Sequence, residues 1–409
     1  MRKKVVFSIM VALTALVLLG CPNPVTPPDT VIDITAIAGV TAPATGAMPV
    51  TTITETAQYT GTVNWSPAVS GTFVASTVYT ATITLTAKVG YTLTGVTANS
   101  FTVAGATATH PAGSGVVEAV FPATDDGSYT SPNIGTLVYV PAGRFQRDGT
   151  ASNISVITQP YRMSRHQITR AQFQAIMDDD PSDNDRSSNG ASSPDDPVQR
   201  VNWYHAIAFS NKLSIAEGLD PVYVVTGVDF GTLTFADIPT SGNDDWNAAT
   251  ATWTNNGYRL PTEMEWMWAA MGAPADGQGG GTNTTGYTKA FAGSTGSNAI
   301  RDYAVYGMNS GPGGTEEEPR TTRPVGSKFP NELGLYDMTG NVWEWTWDWR
   351  EEYPSGTETD YRGAASGTRR VLRGGAWNTM PFDSTVALRG PFRFPHSQGS
   401  VDGFRVVRP

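Results

Sequence analysis

Residues 334–349 read GLYDMTGNVWEWTWDW, with tryptophan at 343, 345, 347 and 349. A strand's period of two sets those four indoles on one face and Glu344, Thr346 and Asp348 on the other, so one face is core and the opposite one is chemistry or solvent. Ten of the chain's 11 tryptophans lie at or beyond residue 203. Indole buries a large apolar area, so the main hydrophobic core belongs to the C-terminal two-thirds and the site is to be sought there. The stretch has two partners near the end of the chain, RVLRGGAW (370–377) and GFRVV (403–407).

The chain has 409 residues, more than one core usually serves, which predicts two or more domains. Only 16% of residues are charged, while 43 glycines and 28 prolines favour strands and irregular chain over long helices. At the start, Arg2, Lys3 and Lys4 precede an apolar run, Val5–Leu19, that is short for a membrane span. The run ends Leu18-Leu19-Gly20-Cys21, which looks like a lipobox. Residues 1–20 thus resemble the signal peptide of bacterial lipoproteins, which implies lipidation of Cys21 and a lipid-anchored place at the outer membrane or cell surface. Cys21 is the only cysteine, so the mature chain is expected to have no internal disulfide, thiolate metal site or cysteine nucleophile. Lysine and arginine number 27 against 37 aspartate and glutamate, and loss of the leader takes the balance from −10 to −13. Nucleic acid is thereby excluded as a partner.

Residues 21–30 form a proline-rich tether. Residues 31–124 carry short alternating Thr/Val runs broken by Gly and Pro, which predicts a small all-β sandwich. Phrases such as TITETAQYTGTVNWSPA resemble Ig-like stalk modules of bacterial surface proteins, and the domain is read as a spacer or adhesion module without a site. After a linker, 125–134, residues 135–409 make one mixed domain of class α+β. Thr169 with Gln172 predicts a capping box and a helix to about Met177. Asn202 caps a second helix with Ala206, Phe209 and Leu213 on one side. Thr262 with Glu265 starts a third, followed by Met264, Met267, Trp268 and Met271 at helical spacing. Glu263 and Glu265 sit two apart, where helical side chains do not face each other, so they are read as helix-start residues rather than an acid and base pair. The acidic run 178–185 reads as a solvated loop, and the glycines at 277–281 lack the strand and helix of a phosphate cradle.

Five motifs stand in order: PVQRVNWYHAIAFSNKLS (197–214), GYRLPTEMEWMWAA (257–270), PNELGLYDMTGNVWEW (330–345), RVLRGGAW and GFRVV. Together they resemble the formylglycine-generating enzyme, or sulfatase-modifying factor, family, which implies a C-type lectin-like fold over about 135–409. In active members two cysteines after the Gly-Gly hold copper. The matching positions are Thr379 and Ser384, whose hydroxyls are poor ligands for a soft cuprous ion, so no enzyme activity and no required cofactor are expected. The four histidines, His110, His166, His205 and His396, lack ligand spacing. The family also implies a calcium ion at the GNVWEW turn, with Asp337 and Glu344 as carboxylates and Gly340 and Val342 as carbonyl donors. The other reading has Asp337 capping a turn and Glu344 paired with an arginine; both stay open.

The C-terminus further resembles the variable proteins of diversity-generating retroelements, treponemal lipoproteins among them, in which the cassette between RGGxW and GFRVV is diversified. Here that cassette is 378–402. Its middle, Thr385–Arg389, alternates like a buried strand. Its flanks, Asn378, Thr379, Met380, Phe382 and Asp383, then Phe392, Arg393, Phe394, His396, Ser397 and Gln398, mix aromatic anchors with adaptable polar groups as a paratope does. The expectation is a non-catalytic, surface-displayed lipoprotein binding a protein or glycan ligand there. A formylglycine-generating-type oxidoreductase acting on a partner's cysteine by an altered mechanism, and a purely architectural surface protein, are the alternatives. No GxSxG elbow supports a hydrolase.

Overall fold

The computed structural model describes residues 27–182, 193–273, 281–311, 314–315 and 320–409. The leader, Cys21, most of the tether, and parts of the 178–196, 274–287 and 309–323 loops lie outside the described residues.

The N-terminal region is all-β with a core of its own. Strands Tyr59–Ser66, Thr80–Ala87, Val116–Val120 and Thr107–Thr109 lie side by side in that order, all antiparallel. Alternation decides which face is buried: Ala81, Ile83 and Leu85 point inward between outward-facing threonines. Ile83 faces Val117 and Ala81 faces Ala119 across the ladder, with Tyr59 and Phe101 completing the core.

In the C-terminal domain the three helix starts follow the local chemistry of their sequences. Thr169–Gln172, Asn202–His205 and Thr262–Glu265 each form a reciprocal capping box, opening helices Arg170–Met177, Trp203–Ala216 and Glu263–Ala270. Each box satisfies two backbone N–H groups that a helix start leaves without intrahelical partners. The Trp203–Ala216 helix is buried on all sides through its first nine residues, as an apolar helix in the middle of a core must be.

Trp343–Trp349 is the middle strand of a three-stranded sheet, antiparallel to Arg370–Arg373 and parallel to Asp402–Gly403. The three motifs at the end of the chain are therefore neighbours. Of the two readings of the face opposite the indoles, chemistry or solvent, solvent is ruled out: Glu344, Thr346 and Asp348 are as buried as Trp343 and Trp345. Each of the three side chains has a partner, which is the condition for burying a polar group. Glu344 is held by Arg405, and Asp348 accepts the backbone N–H of Glu263 at 2.6 Å. On the indole side, Trp345 Nε1 donates to Val201 O, and Trp203 Nε1 returns a bond to Thr346 O. Finally, Val407–Arg408 pairs with Tyr161–Ser164, which pairs with Gly135–Val140, so the chain's end is stitched to the domain's beginning.

Candidate functional site

The terminal segment leaves the sheet through a turn that only glycines take easily. Gly374 and Gly375 have φ of +99° and +83°, and a Cβ on Gly374 would sit 3.2 Å from the Trp266 ring. Downstream, Thr379 Oγ1 accepts the Ala376 N–H at 2.8 Å and Thr379 O accepts the Gly307 N–H. Pro381–Asp383 is a short 3-10 turn, after which Ser384 Oγ donates to Met380 O at 3.1 Å. Thr385–Arg389 is not the strand its alternation suggested. It is a turn, with Leu388 N bonded to Thr385 O and a single bridge from Arg389 to Arg373. Val386 is buried as the alternation required, but Arg389 is drawn into an ion pair with Glu263 instead of extending a ladder.

From there the backbone is tied to the framework at intervals. Gly390 N donates to Leu372 O, Arg370 N to Arg393 O, Trp203 N to Pro395 O and Arg200 N to Gly399 O. Along the segment the side chains face outward: Phe382 is 73% exposed, Phe392 64%, Phe394 44% and Met380 42%. Asn378 and Gln398 are exposed, while Asp383, Arg393, His396 and Ser397 are half-buried. Thr379, expected among the contact residues, is instead buried, with its hydroxyl engaged in closing the turn after the tryptophan.

The exposed rings are braced from behind. Arg350 lies 4.3 Å from the centre of the Phe392 ring, and Arg369 lies 5.4 Å from Phe392 and 5.0 Å from Phe394. Phe394 stacks on His396 with centroids 5.6 Å apart, and Arg393 reaches Asp402 at 3.2 Å. Burial pushes the Asp402 carboxyl up to about 6, with Arg393 pulling the other way. Sequence reading missed Arg350 and Arg369 because they lie outside the cassette. The signal was available in the strand pairing, since the two residues continue the ladder past Trp349 and Arg370, with Arg350 N bonded to Arg369 O at 2.7 Å.

Three of the four oxygens singled out at the GNVWEW turn converge on the side-chain nitrogen of Gln167, and Asp337 joins them with its backbone carbonyl instead of the expected carboxylate. Gln167 Nε2 lies 3.2 Å from Asp337 O, 3.2 Å from Gly340 O, 3.0 Å from Val342 O and 2.9 Å from Glu344 Oε1. Glu344 also accepts two bonds from Arg405 and one from Trp266 Nε1. The Asp337 carboxylate accepts the Gly326 N–H through Oδ2, while Oδ1 is buried without a partner, as is Gln167 Oε1. Burial pushes the Asp337 carboxyl up to about 6. A nest of oxygens around one nitrogen, with two orphaned oxygens on its residues, has the chemistry of a hard-cation site.

Thr379 and Ser384, the positions that the resemblance matches to copper ligands, have hydroxyls that are buried and engaged in turns. Among the described residues no cluster of three or more His, Cys, Asp or Glu side chains is arranged to hold a metal, and no helix is long and apolar enough to cross a membrane. His205 is fully buried and its Nδ1 accepts the Asn202 N–H, which completes a capping box. Glu265 caps Thr262 and pairs with Arg259, whereas Glu263 is buried against Arg389, Arg373 and the Tyr353 hydroxyl. Both carboxylates are thus occupied by structural partners. A cleft of about 710 Å³ lies between the 68–76 loop and Tyr139, Arg144 and Trp268, apart from every residue expected at the site.

Residues 124–409 match the model of the sulfatase-modifying factor enzyme 1-like domain. A chaperone protein, LppX, of Paenibacillus barcinonensis is 32% identical over 287 residues, covering 66% of this chain and 89% of that one. The formylglycine-generating enzyme of Streptomyces coelicolor is 37% identical over 185 residues, but the match covers only 40% of this chain and 50% of the enzyme. Among solved structures, Treponema denticola variable protein 1 superposes with a TM-score of 0.58 at 36% identity, over 69% of this chain and 98% of that one.

Proposed function

The chain belongs to the sulfatase-modifying factor enzyme 1-like family and has its C-type lectin-like fold, and from that premise we propose that it is a non-catalytic binding protein which grips a protein or glycan with its terminal segment. One observation carries the reading. Met380, Phe382, Phe392 and Phe394 stand exposed on a segment whose backbone is hydrogen-bonded to the framework on both sides of them. Exposed apolar side chains grouped on a rigid surface mark interaction sites, because binding then costs little ordering entropy. The likeness to a variable protein over nearly its whole length supports the same reading, as does replacement of both copper-site cysteines by hydroxyls engaged in turns.

In this proposal Asn378, Met380, Phe382, Asp383, Phe392, Arg393, Phe394, His396, Ser397 and Gln398 make the contact surface. The lipobox-like start would fix the chain to the outer membrane or cell surface through Cys21, with the N-terminal β region as a spacer. A calcium ion, if bound, would be held by the Gln167, Asp337, Gly340, Val342 and Glu344 oxygens and would stiffen the turn beneath the sheet. The test is a screen of the full chain against protein and glycan arrays, followed by replacement of Phe382, Phe392 and Phe394 by alanine. Every specific hit is expected to vanish while the melting temperature holds, because the three rings face water. Hits that survive the triple replacement would place the binding surface elsewhere.

A further inference from the structure

We infer that the Phe392–Phe394 side of this surface takes an acidic partner, a protein segment bearing carboxylates beside apolar side chains, and that Arg350 and Arg369 read those carboxylates. The inference rests on the terminal segment being the binding surface. It adds the chemistry of what is bound and two residues outside that segment.

Arg259, Arg389, Arg393 and Arg405 each face a carboxylate, namely Glu265, Glu263, Asp402 and Glu344. Arg350 and Arg369 face none among the described residues. Arg350 Nη1 donates only to Gly390 O, at 3.2 Å, and Arg369 Nε is buried without a partner. Glu351 and Glu352, which follow Arg350, are exposed and pair with neither. Other arginines, such as Arg147 and Arg370, also make no ion pair among the described residues but are spent on backbone carbonyls inside the domain; Arg350 and Arg369 are set apart by lying half-buried against the exposed rings of the terminal segment.

Their positions explain what they are for. Both guanidinium groups lie against the faces of exposed rings, 4.3–5.4 Å from the centroids of Phe392 and Phe394. A guanidinium held by its flat face keeps its N–H edge free, and that edge matches a carboxylate with two parallel hydrogen bonds. The rings supply the apolar contact and the arginines the charge, so the complementary surface is apolar and anionic together. A neutral glycan would leave both cations uncompensated.

The test uses the full chain and two labelled peptides of the same length, one alternating Glu with Leu and Phe, the other with every Glu replaced by Gln, with heparin as a third probe. The Glu peptide is expected to bind roughly tenfold or more tightly than the Gln peptide at low salt, the preference shrinking as salt rises. The double variant Arg350→Gln/Arg369→Gln should bind both peptides alike, with its melting temperature unchanged. Equal binding of the two peptides by the unaltered chain, a preference that survives the double variant, or no binding of either peptide would overturn the inference. Heparin taken through the arginine pair in preference to the Glu peptide would overturn it in favour of a sulfated glycan. The underlying reading fails separately: if Phe392→Ala/Phe394→Ala leaves binding of the Glu peptide intact, the rings are not part of the surface.

Discussion

Arg389 donates from Nε and Nη2 to the two carboxylate oxygens of Glu263, each at 2.8 Å, joining the middle of the terminal segment to the first turn of the Glu263–Ala270 helix. Glu263 is 1% exposed, so its charge depends on these bonds, on the Tyr353 hydroxyl at 3.0 Å and on Arg373 at 3.4 Å. Removing one partner of a buried ion pair leaves the other desolvated and unpaired. Arg389→Ala is therefore expected to lower stability by roughly 3 kcal/mol, the low end for such a loss because two partners remain. Urea unfolding of the variant checks this, and a loss below about 1 kcal/mol would show that the pair does not hold the segment.

The same pair shows why the cassette's middle was misread. Alternation at Thr385–Arg389 reports that Val386 is buried, which is right, but it cannot tell a strand from a loop anchored by one long side chain. The three helix starts were legible because a capping box is decided within four residues. The four indoles on one strand were legible for the same local reason. What holds the opposite face was not, since Arg405 comes from 61 residues beyond Glu344, and Gln167 from 177 residues before it. The exposed phenylalanines could be named from the framing motifs, whereas the arginines bracing them needed the strand register.

His205 sits at the third position of the Trp203–Ala216 helix, where its Nδ1 must be an acceptor for the Asn202 N–H. Burial holds the imidazole down at about 3. A depressed value means the stability it contributes is present above the unfolded value near 6.5 and is lost as pH falls through about 3. His205→Gln keeps a capping-box acceptor without the titration. The variant is expected to lose up to about 4 kcal/mol less than the parent between pH 7 and pH 3. Denaturant melts across that range decide it: parallel pH profiles would mean that His205 does not drive the acid sensitivity.

Thr379 and Ser384 are the positions that the family resemblance matches to copper-binding cysteines, and their hydroxyls close two local turns. The full chain incubated with cuprous ion and a cysteine-containing sulfatase peptide is expected to yield no aldehyde, read by mass spectrometry. Turnover above the peptide-only control would make the chain an oxidoreductase by a route that needs neither cysteine. Thr379→Ala should instead show a purely structural effect, about 1 kcal/mol of stability, from leaving the Ala376 N–H without its acceptor.

Gln167 Nε2 carries two hydrogens but has four oxygens within 3.2 Å, so at most two of them can take a full hydrogen bond from it. Turning the amide over exchanges nitrogen for the unpartnered Oε1 and leaves five oxygens around one point, short of the six to eight that calcium takes, with water able to supply the rest. We expect millimolar calcium to raise the melting temperature, by about 1.4 kcal/mol of stability when the ion is at ten times its dissociation constant, and a chelator to reverse the gain. Gln167→Ala separates the two ways of filling the nest. Without calcium it should melt below the parent, since four oxygens lose their only shared donor, and with calcium it should recover most of the difference. If neither chain responds to calcium, the Gln167 amide and Arg405 hold the turn by themselves.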